Sequence, residues 1–169
     1  KNVDVSFYDE CVGHTVPTSH DNTDINGNFS VVVPAGLYTF SCDPPACAGV
    51  EAYRAAGVAI SGAATLGTIT LLAAVPMSGT VLGPNGLPLF DAKVKFYDAT
   101  TVGAPRQGTS HDHTDANGVF SVLVPPGTYD INVEPPAGLN ALVYHVNNYP
   151  TGAGGANVGT LQMLPGFAL

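Results

Sequence analysis

The 169-residue chain sets 5 Lys+Arg against 13 Asp+Glu for a net charge of −8, and it has 20 Gly, 14 Pro, 3 Cys and no Trp, with 45% hydrophobic but only 11% charged residues. Its cations, Lys1, Arg54, Lys93, Lys95 and Arg106, are scattered; without a basic cluster to release counterions, neither nucleic acid nor an anionic membrane is expected as a partner. No apolar run reaches the roughly 20 residues that span a bilayer, residues 55–74 being broken by Gly57, Gly62 and Gly67, so membrane insertion is not expected.

The chain opens at Lys1 with no basic-then-apolar leader, which fits a mature exported protein and an excised fragment equally well. Val3, Val5 and Phe7 alternate with Asn2, Asp4 and Ser6, the pattern of a strand with one buried face. Asp24-Ile25-Asn26-Gly27 follows, its Asn-Gly pair suited to the positive φ of a tight turn. The turn leads into Phe29, Val31 and Val33, which alternate along a second expected strand. Pro34-Ala35-Gly36 then reverses the chain into Tyr38-Thr39-Phe40. Only the Ala-rich residues 51–56 leave a helix open.

From Met77 onward the pattern repeats. Val94-Lys95-Phe96-Tyr97-Asp98 answers Val5-Ser6-Phe7-Tyr8-Asp9, and Thr114-Asp115-Ala116-Asn117-Gly118-Val119-Phe120-Ser121 answers Thr23-Asp24-Ile25-Asn26-Gly27-Asn28-Phe29-Ser30. Glu134-Pro135-Pro136 answers Asp43-Pro44-Pro45, and Val158-Gly159-Thr160-Leu161 answers Leu66-Gly67-Thr68-Ile69. A module that recurs once, made of short strands with regular turn signals, predicts an all-β chain of two tandem β-sandwich domains, residues 1–74 and 75–169, the latter with a tail at 165–169.

The runs Gly79-Thr80-Val81, Gly86-Leu87-Pro88-Leu89, Ala92-Lys93-Val94, Thr114-Asp115-Ala116-Asn117-Gly118 and Val124-Pro125-Pro126-Gly127-Thr128-Tyr129 resemble the carboxypeptidase regulatory-like domain, a transthyretin-like (prealbumin-like, Ig-like) sandwich. The resemblance covers about residues 77–164 fully and residues 1–72 in part. It implies the fold but no single role, because such modules serve as surface repeats, enzyme appendages and adhesin parts. In the related collagen-adhesin repeats a carboxylate assists a Lys–Asn isopeptide bond. Glu134 takes the carboxylate's place, yet residues 77–83 hold no Lys and residues 158–164 no Asn, so that crosslink is not expected.

The two copies differ at the start. Residues 77–92 precede the Lys93 strand of the second copy, whereas the first begins at the equivalent of that strand and so lacks an opening strand. An open apolar edge invites pairing with another chain. The expected acceptor groove is floored by Val3, Val5 and Phe7. The expected donor is Gly166-Phe167-Ala168-Leu169, which reads like Gly79-Thr80-Val81-Leu82.

Cys11, Cys42 and Cys47 all lie in the first copy, and in an exported protein two of them are expected to pair, with connectivity open. His20, His111 and His113, with Asp112, are the candidate ligands for a divalent metal, since positions i and i+2 of a strand face the same way; a solvated or subunit-contacting strand face explains them without any ligand. Asp24-x-Asn26-Gly27 and Asp115-x-Asn117-Gly118 resemble half of a calcium loop but lack the further acidic ligand, and turn chemistry explains them. Asn28-Phe29-Ser30 is a glycosylation sequon. No nucleophile elbow, phosphate loop or HExxH motif occurs, so no enzymatic activity and no cofactor is expected.

The reading that follows is an extracellular or cell-surface structural subunit that polymerises with other copies of itself, head to tail, by strand donation. The alternative is a binding or spacer module of a larger secreted protein, with a glycan as ligand and Tyr53, Tyr144 and Tyr149 as the aromatic candidates.

Overall fold

The computed structural model describes residues 1–167. Apart from one short 3-10 turn, Ala46–Ala48, its regular structure is all β, and the chain divides into two compact units, Lys1–Ala73 and Ala74–Leu169.

In the first unit, strands β1 (Asp4–Asp9), β2 (His14–Thr15), β3 (Gly36–Asp43) and β4 (Tyr53–Ile60) form one sheet in the order β2-β1-β3-β4. β1 and β3 run antiparallel with Val5 opposite Cys42 and Phe7 opposite Phe40. Because side chains alternate across a strand, this register gathers Val5, Phe7, Tyr38, Phe40 and Cys42 on one face, where all are buried. Phe7 meets Tyr38 edge-on, with ring centroids 5.9 Å apart, and the Tyr38 hydroxyl donates to the Pro34 carbonyl at 2.8 Å, pinning the turn before β3. Residues 51–56, where the sequence left a helix open, enter β4. Tyr53 packs on Phe40 at 6.3 Å and Arg54 and Ala55 pair with Ser41 and Phe40. Tertiary pairing thus overrides the helical preference of alanine.

The second unit is a complete sandwich. Its strands are β5 (Val75–Leu82), β6 (Lys93–Asp98), β7 (Val119–Val124), β8 (Thr128–Glu134), β9 (Tyr144–Pro150) and β10 (Ala156–Gln162). They form sheets β10-β5-β7 and β6-β8-β9. The inner faces enclose Met77, Val81, Val94, Phe96, Phe120, Val122, Val124, Ile131, Val133 and Met163. Burying each of the larger of these side chains contributes about 1.5–3 kcal/mol. The internal repeat is visible in detail: Phe96 meets Tyr129 edge-on at 6.2 Å, and the Tyr129 hydroxyl donates to Pro125 at 2.7 Å, as Phe7, Tyr38 and Pro34 do in the first unit.

Residues 1–73 contain no counterpart of β5, and their segments equivalent to β7 and β10 are not strands. β5 lies between β10, to which it is parallel, and β7, to which it is antiparallel. Every strand of that sheet therefore depends on it for pairing.

Candidate functional site

The repeat supplies an internal control. In the second unit Phe120, Val122 and Val124 belong to β7, and Leu161 lies in β10 with Met163 just after it; all five are buried. Their counterparts Phe29, Val31, Val33, Ile69 and Leu71 pack against the first unit's core but are only partly buried, and they lie outside every strand. The second strand expected in the first unit, at Phe29, Val31 and Val33, does not form: the alternation is present, but among residues 1–73 there is no β5 for it to pair with.

Between these two extended segments runs a groove with a volume of about 960 Å³. Residues 29–33 form one wall and residues 65–69 with Leu71 the other, over Val3, Phe7, Cys42 and Ile60. Of the expected acceptor residues, Val3 and Phe7 line the groove, whereas Val5 is wholly buried in the β1–β3 core and is not among its lining residues. The sequence pointed to the floor and left out the walls, although the repeated Phe29-Ser30-Val31 and Leu66-Gly67-Thr68-Ile69 motifs mark them. The groove carries the apolar side chains of Val3, Phe7, Phe29, Val31 and Leu66 together with the polar ones of Lys1, Asn26, Ser30 and Thr68, and its two walls, residues 29–33 and 65–69, belong to no strand.

The geometry that β5 imposes on its neighbours defines what fits. Met77 stands opposite Val122, Ser78 opposite Ser121, and Gly79 opposite Phe120. A Cβ added to Gly79 would come within 2.5 Å of Val158 and 2.8 Å of the Phe120 ring, so only glycine fits there.

Of the expected donor residues, Ala168 and Leu169 lie outside the described residues. Gly166 and Phe167 follow β10 in an extended tail. The Leu142 amide donates to the Leu164 carbonyl and the Gly166 amide to the Asn140 carbonyl, at 2.9 and 3.0 Å, with Pro165 bridged to Ala141. Leu164 is 60% and Phe167 91% exposed, so the tail buries little where it lies.

All three cysteines are free thiols, and the expected disulfide is not formed. Cys11 follows Asp9, at the opposite end of the β1–β3 ladder from Cys42, and Cys47 lies beyond that same far end. A disulfide needs Cα atoms within about 7 Å, which a ladder of this length forbids for Cys11 with either partner. Cys42 points into the core, where burial, with Asp43 adding to it, pushes its thiol up to about 11, while Cys11 and Cys47 are exposed. Maleimide labelling of the native chain at pH 7.5 is accordingly expected to modify two thiols quickly and Cys42 only after denaturation.

The histidines do not assemble a metal site. His20 and His111 have φ of 60° and 56°, in the left-handed region, and His111 and His113 lie outside any strand, so the expected same-face pair is not formed. Asp112 pairs with Arg106, and His113 Nδ1 lies 2.7 Å from Asp91. Among the described residues no cluster of three His, Cys, Asp or Glu side chains is disposed to hold a metal ion. The Asp24 carboxylate accepts from the Asn26 and Asn28 amides, each at 2.8 Å, and these backbone donors hold it below its ordinary pKa; Asp115 accepts likewise from Asn117 and Val119. Both are turn-forming carboxylates. Glu134 is engaged by Lys95 at 2.5 Å. Asn28, of the sequon, is exposed at the groove wall. Tyr53 packs on Phe40, and the hydroxyl of Tyr149 donates to the Asn157 carbonyl.

No family model and no curated protein matches the chain. Among solved structures it is similar to the Bacillus anthracis TIE protein, at 15% identity and a TM-score of 0.39 over 98% of this chain and 31% of that one. It is also similar to the group B streptococcus pilus 2b backbone protein, at 12% identity and a TM-score of 0.37 over 98% and 79% of the two chains. A mutant of the shaft pilin SpaA from Lactobacillus rhamnosus GG gives 13% identity and a TM-score of 0.37 over 99% and 86%. The chain thus spans about a third of the TIE protein's length.

Proposed function

We propose that this chain is an extracellular, non-enzymatic structural subunit of two transthyretin-like sandwiches that polymerises head to tail. In this reading the tail of one copy enters the groove of the first unit of the next as its missing central strand. The observation that carries it is the contrast within one molecule: Phe120 is 1% exposed beside β5, whereas its counterpart Phe29 is only partly buried beside the groove. A strand added there would recover the buried apolar area and the ladder hydrogen bonds that the second unit already enjoys. Donor and acceptor are different surfaces of the same chain, so the contact is heterologous and propagates as an open filament. The low proportion of charged side chains suits repeated close interfaces, where unpaired ions are costly.

Removal of residues 165–169 is expected to abolish polymers in negative-stain micrographs and sedimentation velocity, with the β-sheet circular dichroism unchanged. Polymers that persist after the deletion, or an intact chain that stays a 17.2 kDa monomer at high concentration, would overturn the reading.

A further inference from the structure

We infer that Gly166 sets the register of the donated strand and acts as its specificity determinant, in a mode of addition antiparallel to residues 29–33 and parallel to residues 65–71. This rests on the strand-donation reading and adds to it a defined alignment, Leu164–Leu169 in the places of residues 77–82.

The groove selects at one position. In the second unit the strand crosses between Phe120 and Val158, and there a Cβ would overlap both side chains. The first unit places Phe29 and Leu66 at the equivalent points of its two walls. Phe29 is stacked on Phe40, with centroids 5.8 Å apart and planes at 21°, so its ring is held by the core. An incoming strand therefore needs a glycine facing Phe29, with apolar residues two positions to either side. The tail meets this with Leu164, Gly166 and Ala168, which take the places of Met77, Gly79 and Val81.

Gly166 has no comparable reason to be glycine where it lies in its own unit. Its φ is not positive, and an added Cβ would approach Ala141 and Leu142 no closer than 3.4 Å, an ordinary contact. Two backbone hydrogen bonds hold the tail in its own unit, at exposed Leu164 and half-buried Gly166, and the groove offers ladder partners in exchange.

The internal repeat contains a competing register. The Ala141–Pro165 bridge corresponds to the Val50–Ala73 bridge of the first unit, which would set Gly166 in the place of Ala74 and only residues 167–169 at the head of the groove. In that alignment no residue of the tail faces Phe29, and an alanine at 166 would be tolerated.

Two full-length variants separate these alignments. Gly166→Ala is expected to lose polymers while both units keep the wild-type thermal unfolding profile. For the second, Ser30→Cys and Pro165→Cys are combined in a chain with its native cysteines replaced (Cys11→Ser, Cys42→Val, Cys47→Ser). Ser78 faces Ser121 across the β5–β7 ladder, so this pair becomes directly opposed between copies and mild oxidation by copper–phenanthroline is expected to give a covalent multimer series on non-reducing gels. If Gly166→Ala polymerises normally and the cysteine pair stays uncrosslinked while removal of residues 165–169 still abolishes assembly, the register is wrong and donation stands. If that deletion has no effect, the donation reading falls as well.

Discussion

Phe120→Ala is expected to destabilise the second unit by about 3–5 kcal/mol, and the matching Phe29→Ala the first unit by about 1–2 kcal/mol in an unassembled chain. Phe120 is 1% exposed and packed with Met77, Val122 and Ile131 in one core, so truncation leaves a void among rigid neighbours. Phe29 is only partly buried, and its removal forfeits mainly the stack on Phe40 and opens onto the groove instead of leaving a sealed cavity. Hydrogen–deuterium exchange followed peptide by peptide on the whole chain separates the two units, which a single melting temperature would not. In polymers the cost of Phe29→Ala should rise toward that of Phe120→Ala, because the added strand closes the space around the ring. Equal costs in the monomer would mean that the first unit is already closed in solution and that no partner is needed.

The sequence made most of the sandwich legible because its repeat compares two solutions of the same packing problem. Val5 and Phe7 align with Val94 and Phe96, and the Tyr38–Pro34 and Tyr129–Pro125 hydrogen bonds sit at matching turns, so strand identity and inward face could be read from alternation. Alternation reports which face is apolar and says nothing of whether a neighbour exists. Residues 29–33 have the pattern of β7 without its partner, so the expected strand is an extended groove wall. The Ala-rich residues leading into β4 were ambiguous for a related reason: alanine fits a helix or an edge strand, and the pairing with β3 decides. The metal pair failed at the backbone, since the left-handed φ of His111 breaks the alternation on which the i, i+2 argument rested. Cys11 is kept from Cys42 and Cys47 by the length of the β1–β3 ladder, which spacing in sequence does not encode, while Cys42 faces the core and Cys47 is exposed.

Gly27→Ala is expected to leave the first unit folded yet weaken assembly about ten- to hundred-fold, while Gly118→Ala disrupts the second unit outright. The two glycines share a place in the repeat and a left-handed backbone, with φ of 84° and 73°, so alanine at either costs about 1–2 kcal/mol in conformational strain. Their surroundings differ. A Cβ on Gly118 would overlap the Val81 carbonyl and come within 3.0 Å of the Leu89 amide, whereas a Cβ on Gly27 meets nothing within 4 Å. The missing neighbour is β5, whose Val81 amide donates to the Gly118 carbonyl at 2.7 Å. If a strand fills the first groove in the Gly166 register, its backbone passes Gly27 as β5 passes Gly118, and the overlap that a Cβ would meet at Gly118 arises at Gly27 only on assembly. Overpacking of that kind costs about 1–3 kcal/mol, which is roughly one to two decades in affinity. Circular dichroism of the monomer and sedimentation of the polymer measure the two effects independently. Assembly undiminished by Gly27→Ala would mean that no donated backbone passes this loop, and that the glycine shared by both repeats answers to turn geometry alone.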